Sequence, residues 1–329
     1  MNLMKSILVF SNGEKIGDGI IKLQLLHEIK NRLPNYKLYW ITNKGNTVYS
    51  STLKYISSKY IDLIFEQADL NPFFWNKIST KYNFENEYFD YILDTQKSVL
   101  RTIALKRIKH KQFISGTASG VFSSKKIKIN KENQYYLSYI FDLLDLIISK
   151  KLDQKFKIPI NQNLEKAIHK ILLKEISYVG IAPGAGEKNK IWPLENYIAI
   201  CNYLERKNKI IVFFIGPEEI HLKKILKAKY PKSIFIEEYF DEYYNIEVVM
   251  ASTKFLDLAI SNDSGVSHML STSYCPLIKL FGPKNSQKFT PLKKNLFSIS
   301  SSEFFSSDIT SIPVQRVIKE VNKILDITI

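Results

Sequence analysis

Short apolar strand candidates alternate with helix candidates along the chain, and this alternation constrains the fold more than any other feature. In the first half, the strand candidates are Ser6 to Phe10, Lys37 to Thr42, Ile61 to Phe65, Tyr88 to Leu93 and Lys111 to Ser115. Helical periodicity fills most of the gaps, and a helix from Gln134 to Ser149 is predicted to end the half. Such alternation predicts a parallel sheet covered by helices.

A second series of the same kind follows a polar segment at 150–162. Its strand candidates are 177–182, 209–215, 233–237, 255–261 and 276–281, and its helix candidates are 194–206, 217–228, 246–251, 265–273 and 313–326. A chain of 329 residues is also longer than one domain of about 100 to 200 residues. The sequence therefore predicts an α/β protein of two Rossmann-like, doubly wound domains. Ligands of such sheets bind beyond the carboxyl ends of the strands, so we expect the site in the cleft between the domains.

Composition excludes several other classes of protein. The balance of 45% hydrophobic and 24% charged residues is typical of a soluble globular chain. The longest apolar run, Ile210 to Ile215, is far shorter than the roughly 18 residues of a membrane-spanning helix. The apolar run Ile7 to Phe10 is too short for a secretory signal. Cys201 and Cys275 cannot form a disulfide framework or a four-cysteine metal site, so we expect a cytoplasmic protein.

The net charge of +15 is distributed unevenly. The segment 101–131 has no Asp or Glu and carries nine basic residues: Arg101, Lys106, Arg107, Lys109, Lys111, Lys125, Lys126, Lys128 and Lys131. Nucleic acid, a membrane surface or an anionic substrate would each explain this basic stretch. Only five of the 47 basic residues are arginines, which indicates that part of the charge is a lysine-rich background.

The loop after the first strand, residues 11–19, contains Gly13, Gly17 and Gly19, which permit a tight turn and close approach of a ligand. The spacing is not G-x-G-x-x-G, and the carboxylate of Asp18 would repel a pyrophosphate at the helix start. Asp18 can instead act as a general base that takes a proton from an acceptor hydroxyl. The alternative is that Asp18 only caps the helix.

The loop after the first strand of the second half, 183–193, combines small residues with positive charge. Gly184 opens space beside the backbone, and Lys188 and Lys190 precede a helix N-terminus. This arrangement suits a departing phosphate, whose negative charge both features can stabilise. The alternative is a solvated lysine-rich loop, and Trp192 fits a core position as well as a ligand stack.

A third strand-to-helix turn contains Asp263, Ser264, Gly265 and His268. Asp263 is predicted at the N-cap, and Gly265 leaves backbone N–H groups that can bind phosphate. His268 lies one helical turn after Ser264, on the same face. The alternative is an ordinary capped helix with a polar core histidine. A serine-hydrolase elbow is not indicated, because the pattern is D-S-G rather than G-x-S-x-G.

Two further strand ends carry weaker signals. Gly282 starts a turn into a predicted loop at 283–292, in which Thr290 can close over a nucleotide. Glu218 and Glu219 follow another strand, where a carboxylate can accept hydrogen bonds from ribose hydroxyls.

Taken in order, these motifs resemble glycosyltransferase family 9, the bacterial heptosyltransferases. The similar segments are Ile16 to Asp18, the Pro-Gly-Ala loop leading to Lys190 to Pro193, Asp263 to His268, Phe281 to Pro283 with Phe289 to Pro291, and Tyr88 to Gln96. They span nearly the whole chain. The resemblance implies a GT-B architecture, an inverting mechanism and no required metal or cofactor, with a nucleotide sugar such as ADP-heptose as donor.

The resemblance also implies roles for individual residues. Asp18 corresponds to the catalytic base and Lys190 to the lysine that steadies the leaving nucleoside diphosphate. Further donor contacts map to Gly184, Lys188, Glu218, Glu219, Asp263, Ser264, Gly265, His268, Gly282 and Thr290. Acceptor-side positions map to Gly17, Gly19, Asp94 and Gln96.

The domains are predicted at 1–155 for the acceptor and 156–312 for the donor, with a helix at 313–329 that crosses back to the first domain. We expect a glycolipid or polysaccharide acceptor, anionic in character, as in lipopolysaccharide core assembly. The basic stretch would then contact the cytoplasmic face of the inner membrane.

Two other classes of protein remain as alternatives. A nucleotide-sugar epimerase or hydrolase of the same architecture would use the same second-half site. A nucleic-acid-binding protein would explain the charge, but the sequence contains none of the recognised nucleic-acid-binding motifs, so no nucleic-acid partner is expected.

Overall fold

A computed structural model describes residues 5–127, 136–153, 156–240, 246–272, 275–282 and 295–327. The chain forms two compact units, Met1–Phe156 and Lys157–Ile329. Each unit contains one parallel sheet with helices, which confirms the predicted α/β class. In the described part of the chain, no helix is both long and apolar enough to cross a membrane.

The first unit is built on a five-stranded sheet with the order β3-β2-β1-β4-β5. Its strands are β1 (Ser6–Phe10), β2 (Lys37–Ile41), β3 (Leu63–Phe65), β4 (Tyr88–Asp94) and β5 (Lys109–Ser115). Its helices are α1 (Ile16–Arg32), α2 (Lys54–Ser57), α3 (Val99–Lys106) and α4 (Tyr136–Ile147). Every residue of β1 is buried, as expected for a central parallel strand whose two faces are both covered.

The second unit is built on a six-stranded sheet with the order β11-β10-β9-β6-β7-β8. Its strands are β6 (Tyr178–Ala182), β7 (Ile210–Phe213), β8 (Ile234–Phe235), β9 (Leu258–Asn262), β10 (Leu277–Phe281) and β11 (Leu296–Ser300). Its helices are α5 (Gln162–His169), α6 (Leu194–Arg206), α7 (Ile220–Lys229), α8 (Ile246–Ser252), α9 (Gly265–Leu270) and α10 (Val314–Ile324). All the neighbouring strands pair in parallel.

The two sheets share one topology, in which the first strand of each series lies inside the sheet. Strand order reverses between β1 and β4 in the first unit and between β6 and β9 in the second. At such a reversal the two following loops diverge and leave a crevice for a ligand. The fold therefore marks the loops after these four strands as the places to look for a site.

The structure corrects two sequence-based expectations. Strand β8 is shorter than predicted because residues from Ile236 on form a 3₁₀ turn. Strand β11 was not predicted, since serines interrupt its apolar residues. Helix α10 packs on α6 and β10, and its Val317 and Val321 lie in the core of the second unit. That the segment 313–329 also crosses back to the first unit stays a prediction. The predicted loop at 283–292 lies outside the described residues.

Candidate active site

Asp18 lies in the first turn of α1, at the reversal point of the first sheet, and its side chain is exposed. Lys15 occupies the N-cap position, and no side chain caps the helix, so the alternative role of Asp18 as a cap is not observed. A carboxylate in the first turn is favoured by the helix dipole. Asp18 is therefore an acidic group that is held near a strand end and is open to solvent.

The glycines around Asp18 serve the packing of the loop. A Cβ on Gly19 would lie 2.3 Å from Cγ2 of Val48, and the Tyr49 hydroxyl donates a hydrogen bond to the Gly19 carbonyl at 2.8 Å. Gly13 has a φ of +100°, a conformation that favours glycine. Gly19, which was predicted on the acceptor side, is thus a buried packing position, whereas Gly17 is partly exposed beside Asp18.

A buried ion pair, which the sequence analysis did not predict, lies in the same loop. The Nζ atom of Lys22 is 3.5 Å from Oε1 of Glu14 and donates a hydrogen bond to the Ser11 hydroxyl at 2.8 Å. Among the described residues, neither carboxyl oxygen of Glu14 has a hydrogen-bond partner, and neither does Oδ1 of Asn12. Buried polar atoms are normally paired, so these acceptors are suited to donors from a ligand.

Glu14 of this ion pair and Asp18 both affect the pKa of Tyr49. Burial is the main cause that raises the pKa of Tyr49 well above its ordinary value, and the charges of Glu14 and Asp18 contribute. Both carboxylates therefore lie within electrostatic reach of one phenol. The loop after β1 combines an exposed carboxylate with a buried one.

Asp94 ends β4, on the other side of the reversal point, and is fully buried. Its carboxylate accepts hydrogen bonds from the Thr102 hydroxyl at 2.6 Å, the Ser115 hydroxyl at 2.8 Å and the Gln96 backbone N–H at 2.9 Å. Burial raises its pKa. Its Oδ2 joins β4 to α3 and β5, and its Oδ1 holds the turn at Gln96, so Asp94 has a structural role that its predicted place on the acceptor side did not indicate. Gln96 remains partly exposed beside it.

In the second unit, Asn262 at the end of β9 organises the loop after β6. Its Nδ2 donates to the Pro183 carbonyl at 2.7 Å, and its Oδ1 accepts from the Trp192 backbone N–H at 3.2 Å and the Tyr197 hydroxyl at 2.9 Å. Trp192 is fully buried, and its indole N–H donates to the Ile312 carbonyl at 3.0 Å. Trp192 is thus a core residue and is not available as a ligand stack.

Lys190 ends the short 3₁₀ turn Lys188–Lys190 that this loop forms. Its Nζ atom is 2.6 Å from Oε1 of Glu187, whose side chain is half exposed. Lys188 is exposed. The loop therefore presents a solvated lysine next to a second lysine that a carboxylate holds in place.

A buried ion pair also lies at the reversal point of the second sheet. The Nζ atom of Lys279, in β10, is 2.7 Å from Oδ1 of Asp263, and both side chains are buried. The pKa of Lys279 is lowered, mainly by burial, and the Asp263 carboxylate offsets only part of this effect. Asp263 is not the N-cap of α9, contrary to expectation. Ser264 caps the helix and forms a reciprocal capping box with Ser267.

His268 completes a basic cluster with Lys190 and Lys279. Burial is the main cause that lowers the pKa of His268 well below its ordinary value of 6.5, and the charges of Lys279 and Lys190 lower it further. The imidazole is therefore neutral at physiological pH. Gly265 at the start of α9 is exposed, and a Cβ there would meet no atom within 4 Å, so the approach to this helix end is open.

Glu219 is partly buried, whereas its neighbour Glu218 is exposed. A Cβ on Gly184 would lie 2.3 Å from the Glu219 carboxyl carbon, and a Cβ on Gly216 would lie 2.7 Å from Oε2. Burial raises the pKa of Glu219, and the nearby Glu218 adds to this effect. The carboxyl group of Glu219, which follows β7, thus packs against Gly184 in the loop after β6.

Of the other predicted donor contacts, Gly282 is buried. A Cβ there would lie 3.0 Å from the Asn189 carbonyl and 3.1 Å from Cβ of Ile309, so this glycine permits close packing against the lysine turn. Thr290 lies outside the described residues. In the described part of the chain, no group of three or more His, Cys, Asp and Glu side chains is arranged to hold a metal ion.

Comparison with solved structures shows which fold the chain has. The chain is similar to a glycosyl transferase of family 9 from Veillonella parvula, with a TM-score of 0.72, 15% identity and coverage of 98% of both chains. It is also similar to E. coli heptosyltransferase WaaC with ADP, with a TM-score of 0.68, 15% identity and coverage of 97% of this chain and 99% of that one. The fold is that of GT-B enzymes, with two Rossmann-like domains.

Sequence comparison gives the family. The model of "Glycosyltransferase family 9 (heptosyltransferase)" matches residues 79–310, and the chain belongs to this family. The lipopolysaccharide core heptosyltransferase OpsX of Haemophilus influenzae is 22% identical over 282 residues, which cover 84% of this chain and 79% of that protein. The predicted resemblance is confirmed, and the protein is a glycosyltransferase.

Proposed function

We propose that this glycosyltransferase transfers heptose, or a related sugar, from ADP-heptose to a glycolipid or polysaccharide acceptor, as in lipopolysaccharide core assembly. One observation carries the proposal. The reversal point of the first sheet holds an open carboxylate, Asp18, whereas that of the second brings the ammonium groups of Lys190 and Lys279 near the neutral His268 and the open start of α9. A proton acceptor in one unit, and ammonium groups beside a helix N-terminus in the other, suit transfer from a diphosphate donor.

In the proposed reaction, Asp18 accepts the proton of an acceptor hydroxyl. The hydroxyl oxygen then forms a bond to the anomeric carbon, and the bond from that carbon to the diphosphate oxygen breaks on the opposite face. The configuration inverts, and the nucleoside diphosphate leaves with the electron pair. Lys190 and the N–H groups near Gly265 stabilise the leaving charge, so the reaction needs no divalent cation.

We assign the donor site to the second unit. Lys188, Lys190, Ser264, Gly265 and His268 would contact the diphosphate and the sugar. Asp263 would act indirectly, because its carboxylate is paired with Lys279. Glu219, held against Gly184, would accept hydrogen bonds from the ribose. A crystal structure of the similar WaaC protein was determined with ADP-2-deoxy-2-fluoro heptose, which supports an ADP-sugar as donor.

We assign the acceptor site to the first unit, around Asp18 and Gly17. The carboxyl oxygens of Glu14, which have no hydrogen-bond partner among the described residues, would accept hydrogen bonds from acceptor hydroxyls. The acceptor would be an anionic glycolipid or oligosaccharide reached from the cytoplasmic face of the inner membrane. The exposed lysines of the basic stretch, among them Lys109 and Lys111, would attract its anionic surroundings at about 1 kcal/mol per basic residue.

Product analysis with ADP-heptose labelled in the sugar tests this function. We expect the label to move to the glycolipid fraction with inversion at the anomeric carbon, and we expect the rate to be unchanged by a chelator. A nucleotide-sugar hydrolase would release free labelled heptose, and an epimerase would return the label as an altered nucleotide sugar. Either product in place of labelled glycolipid would contradict the proposal.

A further inference from the structure

Three consecutive aromatic side chains are exposed on the first unit, in a segment that we call the aromatic turn (residues 71–77). Phe73, Phe74 and Trp75 are 50%, 84% and 67% exposed. The rings of Phe73 and Trp75 stack with centroids 5.0 Å apart, and Phe74 meets Trp75 edge-on at 4.8 Å. A contiguous exposed apolar patch of this kind marks an interaction site in a soluble domain.

Arg107 holds the aromatic turn in place. Its Nη1 donates to the Asn71 carbonyl at 2.6 Å and its Nη2 to the Asn76 carbonyl at 2.5 Å. The Asn71 backbone N–H donates to the Ile78 carbonyl at 2.9 Å. The aromatic cluster is thus presented on an ordered frame, which lowers the entropy cost of binding.

The sequence of the aromatic turn and its flanks is basic, although the carboxylate of Glu85 accepts a hydrogen bond from the Ile78 N–H at 2.9 Å and lies near Lys77 and Arg107. From Leu70 to Phe84 the sequence has no Asp or Glu, and both lysines of this segment, Lys77 and Lys81, are exposed. Lys106, next to Arg107, is exposed as well. Aromatic side chains with basic neighbours are typical of proteins at the interface of an anionic bilayer, where the rings occupy the headgroup level.

We propose that the aromatic turn docks the first unit on an anionic lipid bilayer, with Phe74 and Trp75 inserted at the headgroup level. Lys77 and Lys81 would contact the lipid phosphates. The proposal rests on the proposed function only in that a glycolipid acceptor requires a membrane. It changes the expected role of the basic stretch, because Arg107 positions the aromatic turn and does not itself face the lipid.

Vesicle binding by the full chain tests the proposal. The probes are vesicles of phosphatidylcholine alone and vesicles of phosphatidylcholine with phosphatidylglycerol. We expect sedimentation with the anionic vesicles, together with a blue shift of the tryptophan emission. Trp40 and Trp192 are fully buried, so this shift reports Trp75.

Variants separate insertion from charge attraction. The double variant Phe74→Ser/Trp75→Ser should lose about tenfold or more in partitioning to anionic vesicles, because its apolar rings no longer leave water. Lys81→Gln should lose about fivefold. Phe305→Ser is the matched control, since Phe305 is a fully exposed aromatic of the second unit. The control should partition like the wild type.

Three results would overturn the proposal. The first is that the wild type does not bind anionic vesicles, and the second is that the double variant partitions as the wild type does. The third is that the wild type binds no vesicles but forms a concentration-dependent dimer that the double variant abolishes. ADP binding, measured by thermal shift, should be the same in the wild type and the double variant. This measurement shows that the variant is folded, and it separates a failure of docking from a failure of the proposed transferase activity.

Discussion

Each unit buries a lysine–carboxylate pair at the reversal point of its sheet, and the two pairs differ in how they are satisfied. In the second unit, Lys279 and Asp263 are 2.7 Å apart and hydrogen-bonded. In the first, Lys22 is 3.5 Å from Glu14, and neither Glu14 oxygen has a hydrogen-bond partner among the described residues. A buried charge without hydrogen bonds is costly.

The difference indicates different tasks. The complete pair in the second unit fixes Asp263, the residue before the N-cap of α9, so in our proposal it shapes the donor site without contacting the donor. The incomplete pair in the first unit leaves acceptor oxygens that a substrate can satisfy. We infer that the second site is largely formed before binding, whereas the first is completed by its ligand.

The largest expected effect is on the complete pair. Asp263→Asn leaves Lys279 buried without a countercharge, and we expect the free energy of unfolding to fall by about 3 to 5 kcal/mol. Urea denaturation at neutral pH measures this loss. Glu165→Gln is the control, since it removes an exposed pair with Lys254 and should change the free energy of unfolding by less than about 1 kcal/mol. Equal losses in the two variants would contradict the account.

Removing the charge of the incomplete pair should change acceptor binding more than it changes stability. Glu14→Gln leaves Lys22 without its countercharge, but it also removes a buried carboxylate that has no hydrogen bond among the described residues, and Lys22 keeps its hydrogen bond to Ser11. Because these effects oppose each other, we expect the free energy of unfolding to fall by only about 1 kcal/mol, less than for Asp263→Asn. The acceptor KM should rise about ten- to hundredfold, because a charged hydrogen-bond acceptor is lost. The donor KM should stay the same. A stability loss as large as that of Asp263→Asn would refute the distinction between the pairs.

The partly buried His268 of the second unit predicts a pH dependence of stability. Its folded-state pKa lies below 6.5, so below pH 6.5 the unfolded chain binds a proton that the folded chain does not. The free energy of unfolding should therefore fall with decreasing pH, by at most about 1.4 kcal/mol per pH unit from this group. His268→Gln should remove that contribution. Identical pH slopes for the two proteins, measured by urea denaturation, would contradict the assignment.

The smallest expected effect concerns the partner of Lys190. Glu187→Gln removes the negative charge 2.6 Å from the lysine and leaves more positive charge for a diphosphate. We expect the affinity for ADP to rise by up to about fivefold, since ion pairs at the surface contribute no more than about 1 kcal/mol. Isothermal titration calorimetry measures the change. Weaker ADP binding would show that Glu187 supports the site instead of competing for it.

The sequence predicted the architecture well because buried parallel strands are continuous apolar runs. Strands β1, β6 and β9 are entirely buried, and their pattern was visible without any knowledge of neighbours. Strand β11 was missed because it lies at the sheet edge and its serines break the apolar run. Helix α10 was predicted from its apolar face, but that face alone does not show which surface covers it.

The sequence placed the candidate site residues in loops after strands, but it did not predict which of their side chains pair. Lys279 was overlooked although it is a lone charge in the apolar run 277–281, which is a signal of a buried ion pair. Its partner Asp263 directly follows the neighbouring strand β9. A local sequence pattern cannot show that two side chains on neighbouring strands are in contact. For the same reason Asp94 was assigned to an acceptor, when its hydrogen-bond partners Thr102 and Ser115 come from α3 and β5.

The central claim is that Asp18 in the first unit activates the acceptor while the second unit binds the donor. Measuring both the transfer rate and the ADP-heptose affinity of Asp18→Asn tests it most directly. We predict a loss of about 10² to 10⁴ in the transfer rate, the range typical of a general base, with unchanged affinity for the donor. Transfer at the wild-type rate would contradict the claim.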